Sequence, residues 1–599
     1  MNVNERIASL RELMRKHGID TYYVPNEDDH LSEEYTADYF KCKSFLTGFS
    51  GEAGCAVVTK DRACLWTDGR FFTQAEIELE GTEVELMRMG QPGVPMVRDY
   101  LIDNTPEGGV LGFDGRVVSS FMAANLEKAL ENKKAKLVMD YDLAGEVWGE
   151  ERPTMPKESL WVLKKKYTGE TAKERIDRVR AAMKEKNADV LILTALEDPC
   201  WMLNIRGNDI ECTPVSYAFA LVTAKTCVYY IDQDKVKKSV AKYFADNGVT
   251  VKDYDALEKD LKKLKNKKVW TDLNQLNAYL KEQINETNTI LNMASPVVKF
   301  RAVKNETEIK CIRNAHLKDG VAMTKFMYWL KNERPDDLTE MSAQDHLYRL
   351  REAEPDYVEP SFPTISAYQE NAAMMHYSAS EKSNAAVKKS GFLLVDSGGT
   401  YLDGSTDITR TFSMGKPKAW EKEMYTLVLK GHVNLLRQKF LTGTTGQNLD
   451  ILARSALWNL GIDYQCGTGH GVGHVLAVHE GPHGISWGFR SRRGLPVALE
   501  PGMVVTDEPG VYLPHKFGVR LENELLVVKA EKNFYGQFLE FENLTFCPYD
   551  RDAIDPKYLA KEELDWVNAY HKDLYQKLSP YMNAKEKKWL KAATAPIKA

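Results

Sequence analysis

Apolar residues near the start of the chain recur at helical spacing: Ile7, Leu10 and Met14 fall on one side of a helix drawn through residues 5–14. Gly18 stops that helix, and residues 21–25, TYYVP, read as the strand that follows. The unit then returns. Ile176, Val179, Met183 and Asp189 repeat Ile7, Leu10, Met14 and Asp20 at a constant offset of 169, and residues 190–194, VLILT, repeat the strand. Val58 and Thr59, with Trp66 to Asp68, are echoed by Val222 and Thr223, with Tyr230 to Asp232, at an offset of 164, as a five-residue deletion produces. The first 300 or so residues therefore read as a duplicated α/β domain. Proline-bearing breaks at 152–156 and 295–296 divide the chain into domains at 1–155, 156–298 and 299–599. The lysine-rich run 259–268 has helical spacing and reads as a solvated helix face without a partner.

The third domain opens with a long helical pattern after residues 304–308, KNETE, and continues through glycine-rich strands and hairpins. Residues 392–396, FLLVD, read as a buried strand ending in an acid, and 407–412, DITRTF, as its alternating return strand. Asp396 and Asp407 then face each other across a glycine-bearing turn. Residues 503–507 form another apolar strand running into Asp507 and Glu508. Residues 517–528 read as one further strand whose period of two sets Arg520, Glu522 and Glu524 on one face. Near the C-terminus, Leu564, Val567, Tyr570, Leu574 and Leu578 make an amphipathic stripe that packs on the body.

Composition narrows the function. With 43% apolar and 28% charged residues the chain is of ordinary soluble globular type. Its net charge of −6 offers no electrostatic footprint for nucleic acid or an anionic membrane. The nine cysteines are scattered with no C-x-x-C pair, and no signal-peptide or membrane-spanning run is present, so a reducing cytoplasm is expected.

The chemistry collects in the third domain. Eight of the twelve histidines lie between 376 and 571, and His470, His474, His479 and His483 fall within fourteen residues. Glycines at 467, 469 and 471 argue against a regular helix around His470, and Gly471 stands where a helical zinc protease needs glutamate. Four carboxylates drawn within ~5 Å would repel pairwise by ~3 kcal/mol at an effective dielectric of ~20, so cations are needed. Two divalent ions balance Asp396, Asp407, Glu508 and Glu522, leaving the neutral imidazole of His470 as a fifth ligand.

The order Asp, Asp, His, Glu, Glu, with gaps of 11 and 14 inside its acid pairs, resembles the aminopeptidase P family of pita-bread metallopeptidases in its cytosolic, three-domain form. The resemblance spans essentially the whole chain and includes SFLTGFSG at 44–51, WTDGR at 66–70, SFPTIS at 361–366, NAAMMHY at 371–377 and VHEGP at 478–482. It implies two related creatinase-like α/β domains followed by a pita-bread catalytic domain with a C-terminal helical extension. It also implies an Xaa-Pro aminopeptidase that cleaves the bond between an N-terminal residue and a following proline, by a metal-bridging hydroxide. By the same resemblance Asp396 chelates one metal, His470 and Glu508 hold the other, and Asp407 and Glu522 bridge them; Glu524 fits the local pattern almost as well as Glu522. Manganese suits such an oxygen-rich set, with zinc or cobalt as substitutes. His376 and His479 match the two histidines that stabilise the tetrahedral intermediate, Glu508 also serves as general base, and Tyr512 and Arg520 orient the bridging carboxylates. Arg70 and Cys466 are candidates of open role; Cys466 departs from the histidine that relatives generally carry four residues before the metal-binding one. Peptides with proline at the second position are the expected substrates and a homodimer the expected assembly. A prolidase and a non-catalytic pita-bread binding protein are the alternative readings; the chain's length and its complete ligand set weigh against them.

Overall fold

The first helix, Val3–His17, forms in a computed structural model that describes residues 1–32, 34–488 and 496–598. Asn2 accepts from the Glu5 N–H while Glu5 returns to the Asn2 N–H, and Gly18, at φ 66°, ends the helix. Ile7, Leu10 and Met14 are buried. They face a sheet with the spatial order Val84–Arg88, Ala63–Thr67, Cys55–Thr59, Thr21–Pro25, Val110–Gly112, Lys136–Val138. In the second copy, Thr171 and Glu174 cap the helix Ala172–Glu185 in the same reciprocal way. Its sheet repeats the order as Val249–Lys252, Cys227–Tyr230, Phe219–Thr223, Val190–Leu193, Lys268–Thr271, Thr289–Asn292. In both, the first strand in sequence pairs antiparallel with the second and parallel with the fifth. Shared topology and pairing sense make these two related α/β domains. Only part of the lysine-rich run is helical: Ala256–Lys263 is the helix, and Lys268 starts a strand.

Both α/β domains belong to one compact unit, Met1–Leu163 with Glu170–Val297. They meet at a buried polar cluster. His30 stacks on Phe219 with centroids 3.9 Å apart, its Nδ1 lies 2.5 Å from the Thr194 carbonyl, and Asp28 accepts from the Tyr217 hydroxyl at 2.8 Å.

The other unit comprises Lys164–Gly169 and Val298–Ala599. Its long helix, Glu306–Asn332, starts at an Asn305–Glu308 capping box. Met323, Phe326 and Leu330 pack with Leu393, Val395 and Phe412 of a three-stranded sheet built from Ile365–Tyr368, Phe392–Ser397 and Ile408–Ser413. A six-stranded sheet runs Phe440–Leu441, Gly536–Asn543, Asn523–Asn533, Val504–Asp507, Gly469–Gly471, Glu480–Ile485. The C-terminal stripe lies on helix Lys561–Leu578, and Val567, Tyr570, Leu574 and Leu578 share a core with Val428, Phe517 and Leu521.

Two strand readings need correction. Residues 517–528 are not one strand: Phe517–Arg520 pairs in a hairpin with Gly510–Leu513, and Asn523–Asn533 belongs to the six-stranded sheet. Between them the Glu522 N–H donates to the Thr409 carbonyl at 3.1 Å, and this cross-link turns the chain from one ladder into the other. The return strand starts at Ile408, so Asp396 pairs with Thr409 and Asp407 stands just outside the ladder, after a small hairpin of Gly399–Tyr401 and Gly404–Ser405. All six residues of that strand are buried, so its polar alternation marks bonded side chains, not a solvent face.

Candidate metal centre

His470 lies on a short strand that lies close against its neighbour. A Cβ on Gly469 would stand 1.9 Å from the Thr506 carbonyl oxygen, so only glycine lets the two backbones approach. The His470 N–H donates to Thr506 Oγ1 at 3.0 Å, and that hydroxyl lies 3.2 Å from Glu508 Oε1. The His470 Nδ1 donates to the Gly471 carbonyl at 3.0 Å, which leaves the Nε2 lone pair directed into the site. Nε2 stands 3.4 Å from Asp407 Oδ2 and 3.5 Å from Glu508 Oε1.

Asp407, His470 and Glu522 each offer a ligand atom, and these atoms all lie within 4.8 Å of one another. Burial, and after it the charge of the neighbouring carboxylates, holds Asp407 and Glu522 far above the usual carboxylate range. Asp396 and Glu508 are among those neighbours in both cases, so the structure gathers all four acids. Asp396 Oδ1 is buried without a hydrogen-bond partner, while Oδ2 accepts from Arg520 Nη2 at 2.6 Å and Nε at 3.1 Å. Oxygen donors crowded together, with one left without a hydrogen bond, fit divalent cations.

Arg520 thus grips Asp396 itself, not one of the two acids expected to bridge. It reaches Glu522 through Thr409, whose hydroxyl lies 3.2 Å from Arg520 Nε and donates to Glu522 Oε2 at 2.7 Å. Tyr512 accepts from Arg520 Nη1 at 2.7 Å. His479 stands edge-on to His470 with ring centroids 4.1 Å apart. His376 follows Met375, whose carbonyl accepts from Arg520 at 3.3 Å. A Cβ on Gly518 would lie 1.8 Å from the Ala372 carbonyl oxygen, so the segment bearing His376 rests directly on the Arg520 hairpin.

The other two clustered histidines serve the core. Burial pushes His483 down to about 3, and its Nε2 donates to the Val504 carbonyl at 2.7 Å, while His474 is buried 3.9 Å from Glu308. Glu524 is near enough to act on Asp407, but its Oε1 is 3.2 Å from the buried His316 Nε2. That contact, invisible in the local motif, distinguishes Glu524 from Glu522, whose carboxylate lies with Asp407 and His470. Thr409 was equally hidden, because a threonine in a strand carries no chemical signal. Cys466 is half-buried against the apolar core, and its carbonyl accepts from Arg454 at 2.6 Å. Arg70 belongs to the first unit, where it pairs with Asp68 and Glu34.

The sequence models of known families match in the same order as the fold. Residues 6–140 and 151–308 match creatinase/prolidase N-terminal domains, 310–529 match metallopeptidase family M24, and 537–597 match the C-terminal region of peptidase M24. Aminopeptidase P1 of Arabidopsis thaliana is 39% identical over 651 residues, covering 99% of each chain. The chain belongs to the aminopeptidase P group of the M24 metallopeptidases. Another member of this group, Xaa-Pro aminopeptidase 1 of Dictyostelium discoideum, is 36% identical over 99% of this chain and 97% of its own. A Caenorhabditis elegans X-prolyl aminopeptidase, described as a cytosolic enzyme with a di-nuclear active site, superposes with a TM-score of 0.94 at 35% identity over 100% of both chains. The Xaa-Pro dipeptidase of Bacillus anthracis, at 25% identity and a TM-score of 0.51, covers 63% of this chain. The M24 aminopeptidase P architecture is therefore present from end to end: two creatinase-like domains, then the pita-bread domain.

Proposed function

We propose that this protein is a dinuclear-metal aminopeptidase that removes an N-terminal residue when proline follows it. The observation that carries the reading is the crowded Asp407–His470–Glu522 cluster with the unpartnered Asp396 oxygen beside it, in a chain that aligns with Xaa-Pro aminopeptidases over its whole length. Asp396, Asp407, His470, Glu508 and Glu522 would hold the two ions. Manganese is the assigned metal, with zinc or cobalt able to replace it. Two such ions would polarise the scissile carbonyl and make a bound water acidic enough to supply hydroxide at neutral pH.

The chain's own residues do the rest. Glu508, tied by its N–H to the Thr468 carbonyl at 2.7 Å, takes the proton from the attacking water and passes it to the leaving imide nitrogen. His376 and His479 donate to the charged tetrahedral intermediate. Arg520, itself bonded to Tyr512, holds Asp396 and keeps that ligand's orientation fixed. A proline nitrogen in the scissile bond carries no proton, so selectivity rests on the shape that receives the ring.

No helix among the described residues is long and apolar enough to cross a membrane. A cytoplasmic location and a homodimer complete the reading, with no role for nucleic acid or a membrane. The prolidase alternative is set aside because the dipeptidase resemblance leaves more than a third of this chain uncovered. The test pairs Arg-Pro-Pro, Ala-Ala-Ala and an Xaa-Pro dipeptide with elemental analysis of the parent and Asp407→Asn. Fast release of arginine from Arg-Pro-Pro and about two metal ions per chain, both lost in the variant, are expected. Equal cleavage of Ala-Ala-Ala, or a fully metallated and active Asp407→Asn, overturns the reading.

A further inference from the structure

Arg410 is completely buried and has no ion-pair partner among the described residues. Its guanidinium goes to neutral acceptors. Nη1 donates to two carbonyls at once, that of Thr409 at 2.9 Å and that of Glu522 at 2.6 Å. Nη2 donates to Asn523 Oδ1 at 2.8 Å, to the Cys547 carbonyl at 2.9 Å and to the Tyr570 hydroxyl at 3.1 Å. One nitrogen thus ties together the segments that bear Asp407 and Glu522, since Asp407 lies two residues before Thr409.

Tyr570 arrives from a different part of the chain, the helix Lys561–Leu578. Its hydroxyl takes the Arg410 N–H and the Cys547 N–H, the latter at 3.1 Å, and donates to the Cys547 carbonyl at 2.8 Å. A helix that served only to cover apolar surface would need no hydroxyl here. A buried guanidinium, in turn, is tolerated only when its donors are satisfied.

We propose that Arg410 and Tyr570 are positioning residues of the metal centre. The C-terminal helix, through the Tyr570 hydroxyl, holds the guanidinium that fixes the spacing of Asp407 and Glu522, and so sets metal affinity. This rests on the assignment of Asp407 and Glu522 as ligands.

The experiment strips the full-length protein with chelator and titrates Mn²⁺ calorimetrically into the parent, Tyr570→Phe, Arg410→Lys and Leu574→Ala, with thermal unfolding of each apo form measured alongside. Leu574 is a fully buried apolar residue of the same helix and serves as the packing control. Tyr570→Phe should loosen Mn²⁺ about tenfold, as loss of an outer contact of a metal site does, while lowering apo Tm no more than Leu574→Ala. Arg410→Lys should loosen it at least as much, and kcat/KM lost at limiting Mn²⁺ should return when Mn²⁺ is raised. Leu574→Ala should lower Tm while keeping parental affinity. Parental affinity in Tyr570→Phe, or affinity that merely follows Tm across all variants, overturns the proposal. A parent that takes up no Mn²⁺, Zn²⁺ or Co²⁺ instead removes the ligand assignment itself, and this proposal with it.

Discussion

Cys466 shows how a single position changes meaning once its surroundings are known. Its side chain packs at the edge of the core that holds Tyr512, and its backbone carbonyl is taken by the buried Arg454. Alanine keeps the backbone carbonyl and leaves a small group at that edge. Cys466→Ala should therefore keep kcat/KM on Arg-Pro-Pro within about twofold and cost ~1 kcal/mol of stability, the scale of a small truncation at a packed site. A tenfold loss of kcat/KM, or a parent enzyme inactivated by dilute peroxide, would instead place the thiol in the reaction. His483 is the opposite case from the same sequence neighbourhood: burial and a donated backbone hydrogen bond keep it neutral, in the core.

Among the elements, the hairpin of Gly510–Leu513 and Phe517–Arg520 does the most to shape the site, because Tyr512 and Arg520 both rise from it. The segment leading to His376 lies on its back at Gly518, with no room for a methyl group. Gly518→Ala should force the two apart, at ~1–3 kcal/mol of overpacking. Because the displaced parts carry Arg520 and His376, kcat should fall by a larger factor than KM changes. Steady-state kinetics beside thermal unfolding check this, and a variant with parental kcat would show that the segment does not position His376. The apparent single strand at 517–528 failed as a reading because both its halves are buried on both faces, so alternation runs through the break without a mark.

At the scale of the molecule, the polar cluster between the duplicated domains makes stability depend on pH. Burial, and the neighbouring Asp29, raise Asp28 from 3.8 to about 8, while burial lowers His30 from 6.5 to about 3. A raised carboxyl gives stability that is present at low pH and lost as pH climbs toward the folded value; a lowered histidine gives stability that is lost as pH falls below 6.5. Their slopes oppose each other between about pH 4 and 6.5, and above 6.5 only Asp28 acts. The parent's Tm should therefore decline from pH 6.5 to 8 relative to Asp28→Asn, which has no proton to lose there. Parallel Tm profiles for the two proteins across that window would refute the assignment.

The sequence by itself determined what local chemistry and periodicity carry. The duplicated helix and strand showed in Ile7, Leu10 and Met14 against Ile176, Val179 and Met183, because a helix face must be apolar at a fixed period wherever it meets a sheet. The acids proposed as ligands, with His470, stood out by their order and gaps along the chain, which resemble those of the aminopeptidase P family; an acid at the end of one strand, taken alone, reads as a cap or turn residue. Only the tertiary structure decided that Glu522 lies with Asp407 and His470 while Glu524 contacts His316, that Arg520 holds Asp396, and that Arg410, 112 residues before Glu522, bonds the Glu522 carbonyl and the hydroxyl of Tyr570, 48 residues after it. Those choices rest on contacts between distant segments, and a side chain's neighbours across space leave no periodic trace along the chain.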